Sequence, residues 1–310
     1  MPSGWRGRAA VLPLALVFGA SLLAGCTSSL AAASNGKIVA VGAENEYADV
    51  IQQVGGKYVQ ASAIMSNPNT DPHTFEASAA TGRLVNASQL VVQNGLGYDT
   101  FMDTIENAVP DSSRHVIVVQ KLLGLPDSTP NPHLWYKPGV MAKVARAIAE
   151  GLGAIEPGHA SYFQANAKAF TDSLTKWTNA IAALKASYPG TPVATTEPVA
   201  DYLLQAVGAD NRTPWAFQAD IMNGTDPSAQ DVAIERGLFT KHQVTVFLYN
   251  QQVTDSLTES FIALARANNI PVVGVYETMP EPGYRYQSWM LAEVRALRAA
   301  VTDHVSSEHL

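Results

Sequence analysis

Apolar, strand-like runs alternate with amphipathic helical stretches along most of this 310-residue sequence, and that alternation constrains its fold more than any other feature. Lys37–Ala43 reads as a buried strand. Glu44–Val54 reads as a helix, with Tyr47, Val50, Ile51 and Val54 at three- and four-residue spacings, and Gly55-Gly56 ends it. Tyr58–Met65, Gln89–Gln93 and His115–Gln120 read as further strands, with a short helix through Leu84 and Val85. Gly139–Gly151 is helical by its Val140, Val144, Ile148 stripe. The second half repeats the plan. Thr191–Thr196 is a strand, and Glu197 opens a helix running to Gly208. Asp226–Phe239 and Thr254–Asn268 are helices, Val244–Tyr249 and Pro271–Tyr276 strands, and a last helix starts at Tyr286. Strands that alternate with helices imply parallel sheets, here in two α/β lobes.

Between the halves lies Pro157–Ser187, whose Phe163, Phe170, Leu174, Trp177, Ile181 and Leu184 form one apolar face. At about 1.5 Å per residue such a helix spans about 40 Å, enough to lie across both lobes. No second heptad segment exists to partner it, so it is expected to pack within its own chain, as a monomer. The division that follows is a first lobe over 37–156, the long helix over 157–188 and a second lobe over 189–310.

The first 25 residues read as a signal peptide. Arg6 and Arg8 precede the uncharged run Ala9–Leu23, which is too short and badly flanked to span a membrane. Leu23-Ala24-Gly25-Cys26 resembles the bacterial lipoprotein box, which makes Cys26, the only cysteine, the expected lipidation site. Residues 26–36, rich in Ser and Ala, then form a lipidated leash. With 47% hydrophobic and 15% charged residues the chain can build a sizeable core. Its net charge is −7, and near −9 once Arg6 and Arg8 are removed with the leader. That argues against nucleic acid and mildly for a cationic ligand.

Two Pro-His dipeptides carry the chemistry. His73 sits in Asp71-Pro72-His73-Thr74-Phe75-Glu76 and His133 in Asn131-Pro132-His133-Leu134-Trp135, each in a loop where proline limits the backbone. Glu197 and Glu277 follow directly on strands of the second half. All four stand at carboxyl ends of strands, where open α/β sheets bind their ligands. Two neutral imidazoles and two carboxylates neutralise a divalent cation and bind it at about 2.0–2.2 Å. Gly95-Leu96-Gly97 is half a dinucleotide fingerprint, but position 100 is Thr, so no nucleotide site is expected.

DPHTFE, GLGYDTFMD (Gly95–Asp103), NPHLWYKP, TTEPVADYLLQAVG (Thr195–Gly208) and VVGVYETMP (Val272–Pro280) resemble the zinc/manganese-type substrate-binding lipoproteins of bacterial ABC transporters, from about Lys37 to Val301. The resemblance implies two lobes joined by one rigid helix, with the metal between them. Its ligand positions fall on His73, His133, Glu197 and Glu277, the last where the family usually has Asp. Asn131 stands where an Asp is frequent, and no His-rich loop is present. The implied function is capture of one divalent transition metal, Mn²⁺ or Zn²⁺, outside the cytoplasm and its delivery to a membrane permease, with the protein held at the membrane by Cys26. Two carboxylates tilt the choice slightly towards manganese. The other classes weighed are a metal-dependent hydrolase, against which stand the four proposed ligands and the lack of an HExxH-type helix, and a surface adhesin or organic-solute binder lined by Trp135, Tyr136 and Tyr284. Glu281, between two prolines, competes with Glu277 for the fourth position.

Overall fold

The computed structural model describes residues 36–68, 75 and 76, 78–280 and 282–310. The leader, Cys26, His73 and Glu281 lie outside the described residues. Two four-stranded parallel sheets organise the rest. The first is built from β1 (Ile38–Glu44), β2 (Val59–Met65), β3 (Leu90–Gln93) and β4 (His115–Val118), in the order β2-β1-β3-β4. The second is built from β5 (Pro192–Thr195), β6 (Asp210–Asn211), β7 (Val246–Asn250) and β8 (Val272–Val275), in the order β6-β5-β7-β8. The two orders are the same. In each, the chain leaves its first strand for one neighbour, then crosses to the other side. The crevice this reversal opens lies at the carboxyl ends of β1 and β3 in one lobe, and of β5 and β7 in the other.

Helices cover both sheets. The first lobe carries α1 (Asn45–Gly55), α2 (Ala79–Ala87), α3 (Thr100–Ala108), α4 (Val119–Leu122) and α5 (Val140–Ile155). Gly42 lets α1 fold back on β1, because a Cβ there would collide with the backbone of Ala48. The second lobe carries α8 (Asp201–Val207), α9 (Trp215–Met222), α10 (Ala229–Thr240), α11 (Ser256–Ala267) and α12 (Tyr286–Asp303). A buried core runs continuously from Ile38 and Tyr47 through Trp135, Phe170 and Trp177 to Trp289 and Leu297, so the two lobes share apolar packing. Among the described residues no helix is long and apolar enough to cross a membrane.

The connection between the lobes is helical, as its apolar stripe requires, but divided: α6 (Ala160–Ser173) and α7 (Thr175–Ser187) meet at Leu174. The hydroxyls of Thr171, Ser173, Thr175 and Thr178 all donate to backbone carbonyls three or four residues earlier. Such back-bonding competes with the helical ladder and bends it, and at Leu174 the amide reverts to a carbonyl three residues back, Thr171. The Tyr286 ring packs against this join, 6.1 Å from the ring of Phe170 on one side and 6.1 Å from that of Trp177 on the other.

One local expectation is corrected. Glu197 does not open a helix; α8 begins at Asp201. Glu197 precedes Pro198, and the proline ring disfavours helical backbone in the residue before it. Three short elements, α3, β6 and α9, lack a periodicity long enough to be read from sequence.

Candidate metal centre

His133 ends a loop tied to the residue after β3, where Asn94 Nδ2 donates to the Pro132 carbonyl at 2.9 Å, and leads into a short 3₁₀ turn, Leu134–Tyr136. Its ring is fixed by Asn131. The Asn131 Nδ2 donates to the Pro198 carbonyl at 2.8 Å, which leaves Oδ1 to accept the His133 backbone N–H at 2.9 Å and to face the ring Nδ1 at 2.8 Å. Since a carbonyl only accepts, this contact places a ring proton on Nδ1 and leaves Nε2 as the nitrogen that can offer a lone pair. Nε2 is turned to Glu277 Oε2 at 3.3 Å, with both side chains fully buried. Two electron-pair donors facing each other in this way require a proton or a cation between them.

Glu277 lies two residues beyond the end of β8. Tyr98 donates its hydroxyl to Oε2 at 2.9 Å, and Asn250 Nδ2 donates to Oε1 at 2.6 Å. The same Asn250 amide donates to Glu197 Oε1 at 3.2 Å. One carboxamide at the end of β7 therefore holds the two glutamates of the second lobe together and offsets their mutual repulsion. Gln252 fixes the backbone beside it, its Oε1 accepting from the amides of Glu277 at 2.7 Å and Thr278 at 2.9 Å. Three of the four residues expected as ligands thus converge: His133, Glu197 and Glu277. Among the described residues no group of three or more His, Cys, Asp or Glu is placed to hold a metal ion. The fourth, His73, lies outside the described residues.

The surroundings are acidic and dry. Glu44, at the end of β1, and Glu46, in the first turn of α1, are fully buried, and none of their carboxylate oxygens has a hydrogen-bond partner among the described residues. Burial pushes Glu44 well above the usual carboxylate range, reinforced by repulsion from Asp99 and Glu46. Burial does the same to Glu46, with Glu277 and Asp99 adding repulsion against a stabilising backbone hydrogen bond. Asp99 is raised by burial to about 6, against the backbone N–H groups of Gly95 and Asn94 that favour its ionised form. Acidic groups held this far from water disfavour an anion, and a cation beside them would favour their ionised form. The rings of Tyr98 and Trp135 wall the imidazole, the latter 5.4 Å from it between centroids.

Sequence reading missed Asn250, Glu44, Glu46 and Asn94, although all stand at or just after strand ends, the rule that found Glu197 and Glu277. A carboxamide is not itself a metal ligand of choice, so its place at a strand end does not single it out in a sequence.

Residues 41–300 match the family described as "ZnuA: Zinc-uptake complex component A periplasmic". The chain belongs to this family. The manganese-binding lipoprotein MntA of Bacillus subtilis is 24% identical over 176 residues, which cover 54% of this chain and 57% of that protein. The zinc-binding protein TroA of Treponema pallidum is 26% identical over 170 residues, covering 52% of this chain and 55% of that one. The chain thus spans a little over half the length of the curated relatives it matches. Solved structures extend the agreement in fold: the TroA structure from Treponema pallidum has a TM-score of 0.72 at 18% identity over 87% of this chain and all of that one. The binding protein FpvC of Pseudomonas aeruginosa, solved with Mn²⁺, has a TM-score of 0.70 at 18% identity over 86% and 98% of the two chains.

Proposed function

We propose that this member of the zinc-uptake component family captures one divalent transition metal, Mn²⁺ or Zn²⁺, between its lobes outside the cytoplasm and passes it to the membrane permease of an ABC importer. The observation that carries this reading is the facing of His133 Nε2 and Glu277 Oε2 at 3.3 Å in a fully buried site whose second glutamate, Glu197, is tied to the same Asn250 amide. His73 completes the ligand set in this reading, and the cation is cargo. The lobes comprise residues 37–156 and 189–310, joined by 157–188, and a lipid on Cys26 holds the monomeric protein at the membrane. No enzymatic step is assigned: a catalytic metal keeps an open coordination position, whereas the proposed set has four protein donors. Two carboxylates beside two imidazoles suit manganese as well as zinc, and supply in the cell decides between them.

Metal analysis and calorimetry on the mature chain test the reading. One Mn²⁺ or Zn²⁺ per chain is expected, with a rise in melting temperature because the ligand binds only the native state, and without hydrolytic turnover. Absence of both heat and thermal shift with either cation would refute it; metal-dependent turnover would move the protein to the hydrolase class.

A further inference from the structure

Glu277 belongs by sequence to the second lobe, yet the peptides on either side of it are gripped by side chains of the first. Asn45, the first residue of α1, closes a two-bond ring on Met279: its Nδ2 donates to the Met279 carbonyl at 2.7 Å, and its Oδ1 accepts from the Met279 amide at 2.8 Å. Tyr136, three residues after His133, does the same for Tyr276. Its hydroxyl donates to the Tyr276 carbonyl at 2.8 Å and accepts from the Tyr276 amide at 3.3 Å. Both side chains are buried. On α12, Glu293 Oε1 lies 3.1 Å from the same hydroxyl and accepts from Trp289 Nε1 at 3.0 Å.

These bonds do not involve the metal. They bracket Glu277 at positions 276 and 279, and each would leave a buried backbone group unpaired if the lobes parted along this seam, a loss folded chains rarely accept. We infer that Asn45 and Tyr136 are positioning residues for Glu277, clamping its segment to the first lobe so that the carboxylate faces His133 whether or not a metal is bound. The inference rests on the reading of Glu277 as a ligand. It implies that the ion enters and leaves a site whose fourth ligand stays seated, with the movable partner among the other donors. A ligand held in place before the metal arrives loses little freedom on binding, so loss of a clamp weakens affinity chiefly through faster release.

Tyr136→Phe keeps the ring and removes the hydroxyl, and Asn45→Ala removes the other clamp, so the test survives if one variant folds poorly. Hydrogen exchange of peptides spanning Tyr276–Met279 is measured in metal-free protein, with Zn²⁺ and Mn²⁺ affinities by competition against a chelating dye and dissociation rates by stopped flow. Wild type is expected to protect this segment without metal. Each variant should speed its exchange and weaken metal binding by about tenfold while distant peptides stay protected. A contribution to general stability alone would lower the melting temperature and leave affinity at 25 °C unchanged. The inference is overturned if wild type exchanges freely at Tyr276–Met279 without metal, or if both variants bind within about twofold of wild type. A wild-type chain that binds neither cation refutes instead the transport reading beneath it.

Discussion

Replacing Glu235 with Gln should reverse the order of stability of the two proteins between mildly acidic and mildly alkaline pH. Glu235 lies on α10, fully buried. Its Oε1 accepts from the Thr213 hydroxyl at 3.2 Å, and Oε2 has no partner among the described residues. Burial pushes the carboxyl from an ordinary 4.5 up to about 8, against the Thr213 hydrogen bond that favours ionisation. A folded-state value raised in this way means that the stabilising contribution is fully present below about pH 4.5 and is lost as the pH rises through about 8. At about 1.36 kcal/mol per pH unit the full loss is about 5 kcal/mol. Gln does not titrate, but its buried amide hydrogens lack an acceptor, a constant cost of about 1–3 kcal/mol. The variant is therefore the less stable at about pH 5 and the more stable at about pH 8.5. With about 2–4 °C per kcal/mol for a chain of this size, and about 4 kcal/mol of the loss falling between these two pH values, the difference in melting temperature between variant and wild type should swing by about 8–15 °C. The assay is thermal unfolding of chelator-treated protein at a series of pH values. Asp201, Asp99 and Glu293, also raised by burial to about 6, 6 and 8, titrate in both proteins and cancel in the comparison. Two melting curves that run parallel in pH would refute burial of this carboxyl as the cause. The site feels the same network, because Thr213 Oγ1 accepts from the Thr195 amide at 2.9 Å, two residues before Glu197.

Four further outcomes are expected at the metal centre and the anchor. Glu277→Gln should weaken metal binding by at least about tenfold, since it removes a charge beside the cation, while Glu281→Gln should be nearly silent; side-by-side titration with the opposite result would move the fourth ligand to the loop. Asn131→Ala frees the His133 ring and should cost about 10–100-fold in affinity, read by calorimetry, because partners that orient a ligand are worth that much. Apparent affinity should fall as the pH drops from about 7.5 to 5, since protons compete for both imidazole and carboxylate, and a flat profile would exclude His73 and His133 as ligands. Cys26→Ser should leave metal binding intact and release the protein from the membrane fraction; retention after a carbonate wash would refute the lipid anchor.

The parallel sheets, the repeated halves and the strand-end placement of Glu197 and Glu277 were legible because strand and helix periodicities are local and the switch-point rule needs only strand ends. His133 was legible through its proline. What joins these residues was not. Asn250 touches Glu197 across 53 positions and Asn45 touches Met279 across 234, and no local pattern marks a carboxamide that bridges so far. The start of α8 was misplaced because the acid-after-strand pattern suits a helix N-terminus, and the steric effect of Pro198 outweighed it. The division at Leu174 was hidden for a different reason: the apolar stripe runs through it unbroken, and only the hydroxyl-rich stretch Thr171–Thr178 signals the change.

That division gives the strut between the lobes a joint, and the joint is splinted. The Tyr286 ring bears on Phe170 above it and Trp177 below it, while its hydroxyl donates to the Trp135 carbonyl at 2.6 Å, two residues from His133. Flexing the strut at Leu174 would have to prise that ring from at least one of its two aromatic supports and tug on the His133 loop through the same hydroxyl. Bending of the connector and the set of the imidazole are thereby geared to a single side chain: strain at the joint would reach the His133 ring as a tilt.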